Sequence, residues 1–404
     1  MIDIAGITAI TITSFLTLLI ALKWNDISKV IFIALAIRIV FLIINNNFFY
    51  LPDGDMDALN FEEKAWNMSR EGFLNIFNFY KGPDPYFISV MLAIPYSILG
   101  RSILMAQSLS ILFGVGSVFL GWLVAKKLWN NEAAIKVAWT IALFPSVISY
   151  SVLTMREVYI SFFFLLAIYG IICWGKDKSY KSIFITFLGF VGASFFHGAL
   201  SVGLIVFILL ISLHSFYKSL KLIKAKIISI KQILLIILSS FIIFLYVTDK
   251  IHIPYLKNFS SSLDSNRLKI LMIPNTKGDA TYPQWLKVNH NVEFLYKIPI
   301  RTLYFLFSPF PWDVKKLSHL VGVIDGFLYI VLVYLIFLNR KAIWKNPALR
   351  IILLILICYF IVFGIGTTNF GTGLRHRVKF VFGLILLAGP LIPSLNFSNK
   401  NKIK

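Results

Sequence analysis

Three aspartates at alternate positions, Asp53-Gly-Asp55-Met-Asp57, lie in the stretch "PDGDMDALNFEEKAWNMSREGF" of residues 52–73. Side chains two residues apart do not share a helix face, so this segment reads as a turn presenting carboxylates to a site. A carboxylate within hydrogen-bond reach of a hydroxyl can take its proton as the oxygen attacks. Asp57, with Asp55, is therefore the candidate general base. Asp53 and Asp55 could also hold Mg²⁺ or Mn²⁺, which favour oxygen ligands. Glu62, Glu63 and Glu71 follow in a helical pattern after Asn60 and read as a solvated face.

A second set of ionisable groups interrupts apolar sequence. "TMREVY" carries Arg156 and Glu157, "FFHGAL" puts His197 at a tight turn, and "LRHRVK" sets Arg375, His376, Arg377 and Lys379 at the mouth of the last apolar run. Ionisable groups at or inside a bilayer are costly and tend to be functional. Arginines make bidentate contacts with phosphate that survive partial burial. Arg375, Arg377 and Lys379 are thus candidate phosphate ligands, with His376, Arg156 and His197 as secondary contacts and Glu157 as the second acid. Acids and bases at one membrane face suit transfer from a phosphate-bearing lipid to a hydroxyl. Each group also has a plainer reading: an interfacial ion pair, a turn histidine, a basic anchor to lipid phosphates.

The elements that must position these groups are apolar runs. Of 404 residues 58% are hydrophobic and 14% charged, against about a quarter charged in soluble domains. Repeated runs of roughly 15 to 22 apolar residues indicate an all-α polytopic membrane protein. About eleven spans are expected, at 4–22, 30–50, 104–125, 135–153, 158–174, 182–196, 198–216, 232–247, 321–338, 351–366 and 378–395. The net charge of +21 comes from 39 basic against 18 acidic residues. The basic residues fall in short clusters between the runs, such as Lys126-Lys127, Lys176 to Lys181 and Arg340 to Arg350. Such loops mark the cytoplasmic side and touch anionic lipid, which argues against a nucleic-acid partner.

Placing every basic loop inside sends the N-terminus, residues 51–103, the Arg156 and His197 corners, a loop at 248–320 and "TTNFGTGLRHR" outside. "FISVMLAIPYSILG" (87–100) is too short to span and is interrupted by Pro95, so it reads as an outer-face amphipathic helix. Arg38, deep in the second run, reads as snorkelling or paired with a carboxylate. "GVGSVFLG" (114–121) reads as close helix packing rather than a nucleotide loop. Cys173 and Cys358 sit inside apolar runs, so neither a disulfide framework nor a thiolate metal site is expected. The chain then divides into a membrane module at 1–247, an extracytoplasmic loop at 248–320, and membrane helices with a tail at 321–404.

The order of these features resembles the GT-C superfamily of integral-membrane glycosyltransferases. The resembling stretches are "DALNFEEKAWNMSREG" after an early span, "PDPYFISVMLAIPYSILG", "WLVAKKLW", "FPSVISYSVLTMREVY" and "FFHGAL". "SPFPWDVKK" (308–316) and "NFGTGLRHRVKF" (369–380) resemble segments of Wzy-type polymerases of O-antigen and capsule repeat units. The likeness covers roughly residues 30–215 and thins beyond them. It departs in one extra span before the acidic loop, in a short chain and in lacking a large C-terminal soluble domain. It implies a GT-C-like bundle in a bacterial inner membrane, with its site facing outward. It also implies a polyprenyl-phosphate-linked sugar donor, a glycan acceptor, and chain-length regulators or other polysaccharide-assembly proteins as partners. Asp55 or Asp57 would be the base, Glu157 would lie near the donor phosphate or a metal, and Trp285, Trp312 and Tyr282 could stack on sugars. The expected activity is polymerisation of repeat units, with single-sugar transfer as the alternative and a lipid-linked-glycan flippase as the rival from another class. Deep charges and repeated halves, which mark transporters, are absent but for Arg38.

Overall fold

A computed structural model describes residues 3–224 (apart from 81 and 83), 237, 248, 272 and 279–394 (apart from 317 and 318). The expected span at 232–247, apart from residue 237, and most of residues 248–278 of the loop expected at 248–320 lie outside these residues. The described chain is all-helical, with one isolated backbone bridge between Thr281 and Asn369. Its long apolar helices embed it in a membrane. Seven of the described helices are long and apolar enough to cross one: Ile4–Lys23, Asn25–Asn47, Ile103–Leu128, Glu157–Asp177, Gly198–Tyr217, His319–Leu338 and Pro347–Gly366.

In chain order the helices are α1 (Ile4–Lys23), α2 (Ser28–Asn47), α3 (Asp57–Ser69), α4 (Phe87–Leu99), α5 (Ile103–Leu128), α6 (Asn131–Leu143), α7 (Pro145–Tyr150), α8 (Glu157–Asp177), α9 (Tyr180–Phe196) and α10 (Ser201–Lys224). After them come α11 (Phe294–Phe307), α12 (His319–Leu338), α13 (Arg340–Lys345), α14 (Pro347–Gly366) and α15 (Phe370–Ala388).

Two expected spans take another form, while the one at 182–196 stands where expected. The run at 135–153 is two pieces, because proline disfavours helical geometry in the residue before it. Phe144 is accordingly extended (ψ 120°), and α7 restarts with Pro145 in its first turn. The run at 182–196 is α9, an apolar helix of 17 residues. The run at 378–395 is displaced toward the N-terminus as α15. Its start is capped by Asn369, whose side-chain oxygen accepts from the Thr372 amide at 2.7 Å. The basic cluster therefore lies within the helix rather than at its mouth. Two helices were not expected: α13, of six residues, and α11, which lies within the expected outer loop and packs against α12, α14 and α15. Helix α4 is short, as expected, and docks on α3 through the Ser89 hydroxyl donating to Phe61 O at 2.7 Å.

Side-chain contacts show which helix ends meet. At one end Ser102 donates to Asp3, Asn46 pairs with Gln107, and Arg156 reaches Phe196 O. At the other, Lys126 pairs with Asp26, Lys176 donates to Lys127 O, and Trp129 and Asn339 donate to Leu386 O and Leu387 O. The basic clusters of α5, α8 and α12–α13 thus gather at the end away from Asp3. Small residues let the bundle close: a Cβ on Gly114 would come 2.5 Å from Ser151 Cβ, and one on Gly121 would come 2.4 Å from Ile141 Cδ1. Cys173 and Cys358 are free.

Candidate functional site

The aspartate turn is built by backbone contacts. Asn45 at the end of α2 accepts the Leu51 amide at 3.0 Å, and Gly54 N donates to Leu51 O at 2.8 Å. A Cβ at Gly54 would sit 2.8 Å from Asn45 Oδ1, so a larger residue would push the turn off α2. Asp53 takes a left-handed conformation (φ 67°), which aspartate tolerates better than most residues. Asp57 then opens α3, where the helix dipole favours an acid.

Arg375 joins the two halves of the sequence. Its Nη1 pairs with Asp57 Oδ2, and its Nε lies 3.9 Å from Glu157 Oε1. Around the same oxygen stand Lys379 Nζ at 3.4 Å and Arg156 Nε at 3.6 Å. Glu157 is fully buried, and neither of its carboxylate oxygens has a hydrogen-bond partner among the described residues. Three cations thus face one carboxylate at ion-pair rather than hydrogen-bond distances. Asp57, at 40% exposure, and Arg375, at 15%, are the members open to solvent. Asp53 accepts a hydrogen bond from Tyr150 Oη at 2.8 Å. Burial raises its carboxyl pKa above the ordinary value, against the opposing pull of Tyr150 and Arg375.

The histidines line the cluster. Lys379 Nζ is 2.7 Å from His376 Nδ1, the His376 and His197 rings are 5.5 Å apart, and Phe363 packs against both rings. The helical repeat explains the grouping on α15. Arg375 and Lys379 are one turn apart on one side, whereas Arg377 is turned roughly 200° from Arg375. Arg377 does not join the cluster. Its buried guanidinium donates to Asp325 Oδ2 at 3.0 and 2.8 Å and to Ser308 O at 2.6 Å, so it clamps α15 to α12 and to the end of α11.

Two further expectations change. Asp55 is exposed and Asp53 is engaged by Tyr150. Among the described residues no group of three or more His, Cys, Asp or Glu side chains could hold a metal ion. Glu62 is no solvated residue: it is 1% exposed and receives Arg101 through two hydrogen bonds of 3.0 and 2.6 Å. The signal for that was present. Ala58, Phe61, Glu62, Ala65 and Ser69 recur at helical spacing and form the buried face of α3. Arg38 is buried with Nη1 on Ala34 O, and no carboxylate pairs with it among the described residues. Sequence reasoning also missed Tyr150 and Arg301. Arg301 is buried in α11 and donates to the carbonyls of Met272, Leu286, Gly364, Ile365 and Thr367, tying the segment before α11 to the end of α14. Trp285 and Trp312 are exposed beside Tyr304 and Phe310, and Tyr282 is buried under them.

No family model matches this chain, and no curated protein or solved structure matches it either.

Proposed function

We propose that this protein is a membrane glycosyltransferase working at the outward face of a bacterial inner membrane. It takes a glycan from an undecaprenyl phosphate or diphosphate carrier and joins it to a second glycan of a surface polysaccharide, as a repeat-unit polymerase. The observation that carries this reading is the Arg375 guanidinium standing between Asp57 and Glu157, with Lys379 and Arg156 behind it. A general base and a set of phosphate-binding cations are the two components such a transfer needs. The gathering of basic loops at the other end supports the outward orientation by the positive-inside rule.

The chemistry follows from these positions. An arriving phosphate competes with Asp57 for Arg375, the most accessible cation, and draws Arg375 from the aspartate. Glu157 holds Lys379 and Arg156 in place and limits their mutual repulsion. Freed of its pair, Asp57 removes the proton from the acceptor hydroxyl. The hydroxyl oxygen forms the new bond to the anomeric carbon, and the bond from that carbon to the phosphate oxygen breaks. The leaving phosphate carries away the electron pair, and the cations stabilise its charge.

Deleting the gene and running the surface glycan on a gel tests the assignment. Loss of the ladder with the single-unit product retained is the expected result. A full ladder missing a side sugar would mean single-sugar transfer, and no surface glycan at all would mean a flippase. Asp57→Asn, returned to the deletion strain, should insert normally and leave the ladder absent. A restored ladder would remove Asp57 from its role.

A further inference from the structure

The aspartate turn has two sides. On one, Asp53 and Asp57 meet Tyr150 and Arg375. On the other, Gly54, Ala58 and Leu59 wall a cavity of about 520 Å³ that also touches α2, α5 and the Asp3 cap of α1. That volume falls within the ~300–1,000 Å³ of small-molecule sites.

Its polar lining has a particular chemistry. Asn46 and Gln107 exchange amide hydrogen bonds of 2.9 and 3.0 Å, and Asn45 donates to Asn46 at 2.9 Å. The two charged groups on the wall are already matched. Arg101 is paired with Glu62, while Asp3 accepts from the Gly6 amide at 2.8 Å and the Ser102 hydroxyl at 2.7 Å. The cavity therefore has no surplus cation for a phosphate and no spare carboxylates for a cation. It offers amide donors and acceptors side by side, above apolar surface from Leu59, Ile103 and Leu104. Hydroxyls, each both donor and acceptor, carried on a ring with apolar C–H faces, match that lining.

We propose that this cavity binds a neutral glycan, the acceptor, and holds it against the back of the aspartate turn. The acceptor role rests on the function proposed above, whereas glycan binding stands on the cavity alone. The amide chain from Gln107 through Asn46 to Asn45 ends on the Leu51 amide, so the groups that hold the sugar also hold the turn that carries the base.

The test uses the full chain in lipid nanodiscs and a panel of methyl hexosides and methyl N-acetylhexosaminides, read by saturation-transfer NMR. At least one glycoside should give a saturable signal. The signal should be lost in Leu59→Trp and in Ile103→Trp, where an indole enters the cavity from partly exposed positions, and kept in Arg375→Ala. No saturable signal, or one that survives both tryptophan variants, overturns the proposal. Free glycerol binding as well as the glycosides do would point to a lipid headgroup and also overturn it. Cavity-dependent glycoside binding alongside an active Asp57→Asn protein would uphold the cavity while removing the proposed reaction.

Discussion

Arg375 and Arg377 stand two residues apart in "LRHRVK", and replacing each with alanine should cause opposite failures. Arg377 is wholly buried, and its partner Asp325 is only 3% exposed. Removing the guanidinium strands that carboxylate and frees the Ser308 carbonyl. Breaking a buried pair from one side costs about 3–5 kcal/mol. At roughly 2–4 °C per kcal/mol for a large chain, Arg377→Ala should melt about 6–20 °C lower. Arg375→Ala releases Asp57, which is 40% exposed and recovers water, while Glu157 keeps Lys379 and Arg156. After allowance for that exposure the stability change should stay below about 1 kcal/mol. Use of the donor should suffer instead. One lost charge-assisted contact of about 1.5–3 kcal/mol corresponds to a roughly 10- to 150-fold weaker apparent affinity for the lipid donor. The assay pairs detergent melting curves of both variants with transfer kinetics on lipid-linked glycan from the deletion strain. A destabilised Arg375→Ala protein with unchanged donor dependence would reassign that arginine to anchoring. An intact melting point in Arg377→Ala would refute its role as a clamp.

Arg301→Ala removes a buried donor to five carbonyls, each able to cost about 1–3 kcal/mol when left bare, so the segment before α11 should become protease-sensitive in limited proteolysis. An unchanged cleavage pattern would deny Arg301 that role. The raised folded pKa of Asp53 means that the folded state holds the proton more tightly than the unfolded one. Its contribution to stability is complete below the ordinary value of about 3.9 and is lost as pH rises through the folded pKa. Asp53→Asn should therefore melt progressively higher relative to the parent as pH rises through that window, and a constant difference would refute the effect of burial. Lys126→Cys should react with a membrane-impermeant maleimide only after cells are opened. Labelling of intact cells would invert the topology.

How much was legible beforehand follows from the physics of each feature. Apolar length against membrane thickness marked the seven long helices. The cost of burying charge in apolar surroundings singled out Glu157, Arg156 and Lys379 before their partners were visible. Local geometry could have separated Arg377 from Arg375 and moved Glu62 off the solvent face, since both follow from helical spacing. Pro145 could likewise have split the run at 135–153.

The meeting of Asp57 with Arg375 could not be read from local pattern. It depends on how α3, α8 and α15 pack, and the positions involved lie more than three hundred residues apart in the chain. The same holds for Tyr150 on Asp53, for α11 in the bundle and for the cavity behind the turn. Hydropathy and side-chain type depend on each residue and its near neighbours, so a one-dimensional reading recovers helices and costly charges. Which charge faces which is set by interhelical packing, where a half-turn of rotation separates the arginine that meets Asp57 and Glu157 from the one that clamps Asp325.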